Sequence, residues 1–142
     1  MCYSAIRSYD MPVTMELARI IINETQDQQI IVLKEVDGER AFPIVIGSSE
    51  AYAIDRRLKG VPHPRPLTHD LLATVIELMG GVLEAIEIYN LQQHTFFARL
   101  LIRQLDAVHQ IDCRPSDAIA LGIAQSIPIR VAEHVLDQAS TV

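Results

Sequence analysis

Apolar and polar positions change period along the chain, and each change marks an element. Glu16 to Ile22 alternates imperfectly and ends β-branched, Gln29 to Val36 is rich in Ile and Val, and Arg40 to Ile46 completes a third run. Runs of this length and composition predict strands, here a three-stranded meander. Thr25-Gln26-Asp27-Gln28 supplies the first turn. Asp37-Gly38 predicts a type I′ hairpin, because both residues tolerate positive φ. Pro43 donates nothing to a ladder, which puts its strand at an edge or a bulge. Gly47 ends that strand, and Ser48-Ser49-Glu50 opens a helix to about Leu58. An acid in the first helical turn meets unpaired N–H groups and the positive end of the macrodipole.

Three prolines at alternate positions make Val61 to Leu67 an extended linker. Thr68 is the predicted N-cap of a middle helix from His69 to Met79, which Gly80-Gly81 stops. Leu72, Val75, Ile76 and Met79 form its apolar stripe, with Asp70, Thr74 and Glu77 opposite. The strand pattern then returns: Val82 to Leu91, a turn at Gln92-Gln93-His94, Thr95 to Arg103, a turn at Leu105-Asp106-Ala107, and Val108 to Cys113. Glu84 and Glu87 fit a polar outer face of this second meander. A helix from Pro115 to Gln125 follows, apolar nearly all round and so buried on most sides. Ile127 to Val131 predicts a short last strand and Glu133 to Gln138 a short terminal helix.

The order of elements repeats, and so does one motif. Arg114-Pro115-Ser116-Asp117-Ala118-Ile119-Ala120-Leu121 has a faint copy in Gly47-Ser48-Ser49-Glu50-Ala51-Tyr52-Ala53-Ile54. Pro115 suits the first helical position, which sets Asp117 at the third, where Glu50 also falls. The expected fold class is therefore α+β. It consists of two βββα units, an internal pseudo-repeat, joined by a Pro-rich linker and a middle helix, with mainly antiparallel sheets packed on helices. Residues 1–14 are expected to form an N-terminal extension, 15–138 a single domain, and 139–142 a tail.

Composition narrows the function classes. In 142 residues about half are hydrophobic (49%) and a fifth charged (21%), which suits a globular domain with an aliphatic core. The net charge of −6 argues against a protein that coats nucleic acid by charge alone. Ten of the twelve basic residues are Arg, suited to bidentate contacts with carboxylate or phosphate. Cys2 and Cys113 lack metal or redox spacing and are expected as free thiols in a cytoplasmic protein. No run approaches the ~18 apolar residues of a membrane helix.

Two stretches carry a family resemblance. Arg65-Pro66-Leu67-Thr68-His69-Asp70-Leu71, followed by Asp112-Cys113-Arg114-Pro115-Ser116-Asp117-Ala118-Ile119-Ala120-Leu121, resembles the bifunctional nuclease domain family. Ile46-Gly47 with Glu50-Ala51, and Ile127-Pro128-Ile129 with Val131 and Glu133, resemble it too. The resemblance implies an α+β domain, often dimeric, whose members degrade both DNA and RNA. It fixes no catalytic residues, so these are sought in the chemistry. Phosphodiester hydrolysis needs an activated water and relief of charge on the phosphate, commonly through acids and divalent metals. The candidate acids are Glu50, Asp70, Asp112 and Asp117. Glu50, Asp112 and Asp117 are the candidate ligands of a Mg²⁺ or Mn²⁺ ion. The candidate phosphate contacts are Arg65, His69 and Arg114, joined by the basic island Arg56, Arg57 and Lys59. Structural readings stand beside these. Glu50 and Asp117 read as helix-start acids, Arg114 and Asp112 as an ion pair, Arg65 as a partner of one of the acids, and the island as a solvated face. The first functional expectation is a nuclease acting on DNA or RNA as a homodimer or higher homo-oligomer. The alternative is a non-catalytic oligomeric binding or regulatory domain.

Overall fold

The computed structural model describes residues 11–140. It is α+β: seven strands and four helices around one aliphatic core. The strands are β1 (Val13–Ile21), β2 (Gln28–Glu35), β3 (Ala41–Gly47), β4 (Gly81–Gln92), β5 (Thr95–Gln104), β6 (Ala107–Cys113) and β7 (Ile129–Val131). The helices are α1 (Ser48–Lys59), α2 (Thr68–Leu78), α3 (Pro115–Gly122) and α4 (Glu133–Ser140). A single 3₁₀ turn, Ile123–Gln125, extends α3, so the predicted helix tightens over its last three residues.

The two meanders are not separate sheets. They join into one seven-stranded sheet of order β3-β2-β1-β7-β4-β5-β6. The short strand β7 is the seam, antiparallel to β1 and parallel to β4. Three residues of pairing to each side suffice, because Ile129 and Val131 are buried in the same core as both meanders. The strand β1 starts at Val13 rather than at Glu16, since Val13, Thr14 and Met15 pair with Val131, Arg130 and Ile129. Residues 1–10 of the expected extension lie outside the described residues. Register shifts in β1 (Leu17/Arg19) and twice in β4 (Leu83/Ala85, Ile88/Asn90) bend the strands that carry them. The sheet curls until Phe42 of β3 stacks on Phe96 of β5, their centroids 5.4 Å apart.

Pro43 lies on the edge strand β3, as its missing N–H requires. The Asp37-Gly38 hairpin forms between β2 and β3, but not with the expected type I′ turn. Neither residue has positive φ, and the connection is closed by the Glu35 N–H donating to the Arg40 carbonyl at 2.9 Å. The turn with two positive φ values is instead Gln93-His94, 49° and 66°, between β4 and β5. Glu84 and Glu87 occupy the polar sheet face as expected, each paired with an arginine across the β4–β5 ladder: Arg103 at 2.9 Å and Arg99 at 2.8 Å.

Helix α3 is the buried one: seven of its eight residues have almost no exposure. Burying Ile119 and Leu121 contributes roughly 1.5–3 kcal/mol each. Gly122 is there because a Cβ would come within 2.8 Å of Ile86 Cδ1 on β4. Helix α2 departs from its sequence reading. Its N-cap is Leu67, not Thr68, and none of its residues is buried. Of the expected stripe Ile76 packs on the core, together with Ala73, while Leu72, Val75 and Met79 stay exposed.

Candidate functional site

Two helix starts meet here. Ser48, Ser49 and Glu50 are the first three residues of α1, and Pro115, Ser116 and Asp117 are the first three of α3. Both N-caps, Gly47 and Arg114, are extended and give no side-chain cap, so neither acid is replaced in its turn by a capping hydroxyl. The Arg114 guanidinium spans the two starts. Its Nε and Nη2 reach Asp117 Oδ2 at 2.9 and 2.8 Å, and its Nη1 lies 3.3 Å from Glu50 Oε1. Gly47 leaves space for this, since a Cβ would sit 2.8 Å from Glu50 Oε1. At the other ends of the same helices, Arg57 donates to the carbonyls of Ala120 and Leu121 at 2.6 and 2.9 Å. The helices α1 and α3 therefore run parallel, start beside start and end beside end. Parallel macrodipoles repel, and acids at the starts with a guanidinium at the ends offset that repulsion.

The third element of the site is the start of α2. His69 Nε2–H donates to Asp117 Oδ1 at 3.0 Å, from a side chain only 14% exposed. The result is an unbroken string, His69, Asp117, Arg114, Glu50. Asp117 fixes the imidazole through Nε2, which leaves Nδ1 to exchange a proton. Arg114 is 67% exposed and so can meet a solute. Its own ionisation is held more firmly by the hydrogen bond and charge of Asp117, then by Glu50.

Asp70 does a different task. Its carboxylate accepts from Leu67 N–H at 3.0 Å, and it is gripped by Arg56 at 3.1 Å and by Arg57 in a very short contact. The Leu67 hydrogen bond, then the two guanidiniums, hold Asp70 below the usual carboxylate range. Arg56 and Arg57 are thus spent inside the protein rather than on a phosphate. Lys59 pairs with Asp55 at 3.0 Å on the surface of α1. Arg65 is exposed and makes no hydrogen bond or ion pair among the described residues, so it ties no motif together.

Asp112 does not join the string. It sits on β6 one residue before Cys113, which packs on the core, so it points to the opposite sheet face. There it accepts from the Tyr89 hydroxyl at 2.9 Å, beneath an Arg99 guanidinium stacked on the Tyr89 ring at 4.7 Å. That bond raises the Tyr89 pKa. The expected pair of Asp112 with Arg114 is absent, replaced by Arg114 with Asp117 and Glu50. The Cys113 thiol is free and is pushed up to about 11 by burial first, then by the charges of Asp112 and Asp117.

The expected three-carboxylate metal set is accordingly not assembled. Glu50 and Asp117 share one guanidinium, Asp112 lies across the sheet, and no group of three His, Cys, Asp or Glu among the described residues is placed to hold a metal ion. The donor set does not fit such a centre.

Beside the string a cleft of about 690 Å³ opens between the edge strand β3 and the β4–β5 hairpin tip. Glu50 and Arg114 are at its wall, with Val45 and Gly47 on one side and Phe96, Thr95 and His94 on the other. In the sequence His94 stands out as a turn residue and, without ligand spacing to another histidine, not as a zinc ligand. Its signal was a histidine in a two-residue turn where Asn or Gly is favoured.

This architecture defines an α+β domain with a histidine–carboxylate–guanidinium string whose Arg114 and Glu50 end lines a cleft, while His69 and Asp117 lie outside its lining. The bifunctional nuclease domain family model matches residues 31–142, and the chain belongs to that family. An uncharacterized protein of Mycobacterium tuberculosis is 42% identical over 120 residues, 84% of this chain and 71% of that protein. Bifunctional nuclease 2 of Oryza sativa subsp. japonica is 29% identical, over 78% of this chain and 35% of its own length. Bifunctional nuclease 1 of Arabidopsis thaliana is 25% identical, over 74% of this chain and 34% of its own length. The chain thus matches about a third of each plant protein.

Proposed function

We propose that the protein hydrolyses phosphodiester bonds of DNA and RNA at the His69–Asp117–Arg114–Glu50 string. The carrying observation is the His69 contact with Asp117, made between segments 48 residues apart in sequence and next to an exposed arginine. An imidazole oriented by a carboxylate is suited to act in proton transfer. In this reading His69 Nδ1 takes a proton from the attacking water as its oxygen bonds to phosphorus. The phosphorus–oxygen bond to the leaving nucleotide breaks, and the leaving oxygen is protonated in turn. Arg114 and the unpartnered Arg65 neutralise charge building on the phosphoryl oxygens. Glu50 restrains Arg114 until the phosphate competes for it.

The family assignment and the names of the plant relatives support this reading. Asp70, Arg56 and Arg57 serve it indirectly, by holding the start of α2 so that His69 meets Asp117. The exposed apolar face of α2 supports a homodimer as the working form. It also suits the competing reading, a non-catalytic oligomeric binding domain. The two separate in one assay: cleavage of labelled single-stranded DNA and RNA by the purified protein, with EDTA set against Mg²⁺ or Mn²⁺ to report on metal assistance. Cleavage that follows the protein peak through chromatography supports the nuclease. Cleavage that separates from the peak removes it.

A further inference from the structure

We infer that His94 is a nucleic-acid contact, holding the strand at the far side of the cleft from Arg114. The inference rests on the nuclease reading for its ligand class. Three observations lead to it. First, His94 lines the same cleft of about 690 Å³ as Glu50 and Arg114, across from the edge strand β3. Second, it stands at the tip of the β4–β5 hairpin with φ 66°, beside Gln93 with φ 49°. The left-handed turn fixes the backbone at the tip and so holds the imidazole of His94 out from the hairpin. Third, the lining of the cleft is mixed: Leu91 and Phe96 are apolar, and Thr95, Ser116 and Gln28 are polar. Apolar and aromatic surface suits a base, and imidazole and guanidinium at the two ends suit successive phosphates. The ligand class is a short stretch of single-stranded nucleic acid. The curled sheet brings the hairpin tip to this place: Phe96, two residues after His94, stacks on Phe42 of β3.

Among the described residues, His94 makes no hydrogen bond or ion pair within the protein. Its side chain is exposed, so it is free for a ligand. Gln93, its partner in the turn, does not line the cleft. This difference gives the control.

The test is fluorescence anisotropy with a labelled, phosphorothioate-linked ten-residue oligothymidylate, which resists cleavage. Three variants of the chain are compared with the wild type: His94→Asn, His94→Gly and Gln93→Gly. Asn and Gly both accept the left-handed conformation, so neither change at position 94 strains the turn. Loss of the imidazole contact should weaken binding roughly fivefold to tenfold in both His94 variants, the size of one to two ordinary polar contacts. Gln93→Gly should bind within about twofold of wild type. Wild-type affinity in both His94 variants would overturn the inference. So would an equal loss in Gln93→Gly, which would trace the effect to turn geometry, or the absence of binding by the wild type. Binding with the expected variant pattern but without cleavage of ordinary DNA and RNA would remove the nuclease reading and leave the His94 contact standing.

Discussion

Asp70 and Gly47 show how much a single residue decides at this site. Asp70 holds Arg56, Arg57 and the start of α2 together, and its pKa is lowered in the fold. A depressed acid contributes stability that is fully present above its unfolded pKa, about 3.9. That contribution is lost as pH falls from there through the lower folded value. Asp70→Asn should therefore destabilise the protein by about 1–3 kcal/mol at pH 7, because it leaves two half-buried guanidiniums short of a partner. The gap between wild type and variant in urea melts should narrow as pH falls below about 4. A gap that stays constant down to pH 2 would contradict the assignment. Gly47 has φ −73°, so alanine fits its backbone, but a Cβ would push the Glu50 carboxylate off Arg114. Gly47→Ala should leave unfolding free energy within about 0.5 kcal/mol of wild type. It should change the cleavage rate by no more than about fivefold, because Arg114, 67% exposed, keeps its closer contacts with Asp117 when Glu50 moves away. A larger rate loss would mean that Glu50 itself touches substrate. At this scale the sequence pointed to most of the string, since Glu50, His69, Arg114 and Asp117 all lie in the motifs. It did not give their partners. Asp112 and Arg114 are two residues apart on either side of the strand's end, and only the pleat sends Asp112 across the sheet.

At the scale of elements, the pattern of periods was enough to place seven strands and four helices in order. What it missed follows from tertiary contacts. The Asp37-Gly38 turn took another form because Glu35 satisfies the Arg40 N–H and guanidinium at 3.0 and 2.6 Å, which stabilises a longer connection. Helix α2 carries an apolar stripe, yet Leu71, Leu72, Val75, Leu78 and Met79 are exposed, Leu78 at 82%. A stripe shows that a helix seeks an apolar partner and does not show that the partner is its own chain. The exposed face is the element-level prediction. In sedimentation velocity the wild type should run as a dimer or larger, and Leu71→Glu with Leu78→Glu should run as a folded monomer. A monomeric wild type, or a double variant that stays associated, would contradict it. Both substituted residues are exposed in the protomer, so the fold itself should tolerate them.

For the whole molecule, the seam was the feature local patterning could not reach. Three residues of β7 turn two meanders into one curled sheet, and nothing in a three-residue run announces which strands it will sit between. The curl brings the hairpin tip at His94 across from β3, and the seam and the parallel α1–α3 pair set the helix starts beside the resulting cleft. No helix among the described residues is long and apolar enough to cross a membrane. Cleavage of nucleic acid is proposed to run through the His69–Asp117 pair that this arrangement holds together. The most direct measurement is the cleavage rate of purified Asp117→Asn against wild type, with circular dichroism and urea melts showing both folded. Wild-type protein should cleave, and the variant should lose at least about 100-fold, the usual contribution of a positioned acid–base group. Full activity in folded Asp117→Asn would contradict the account.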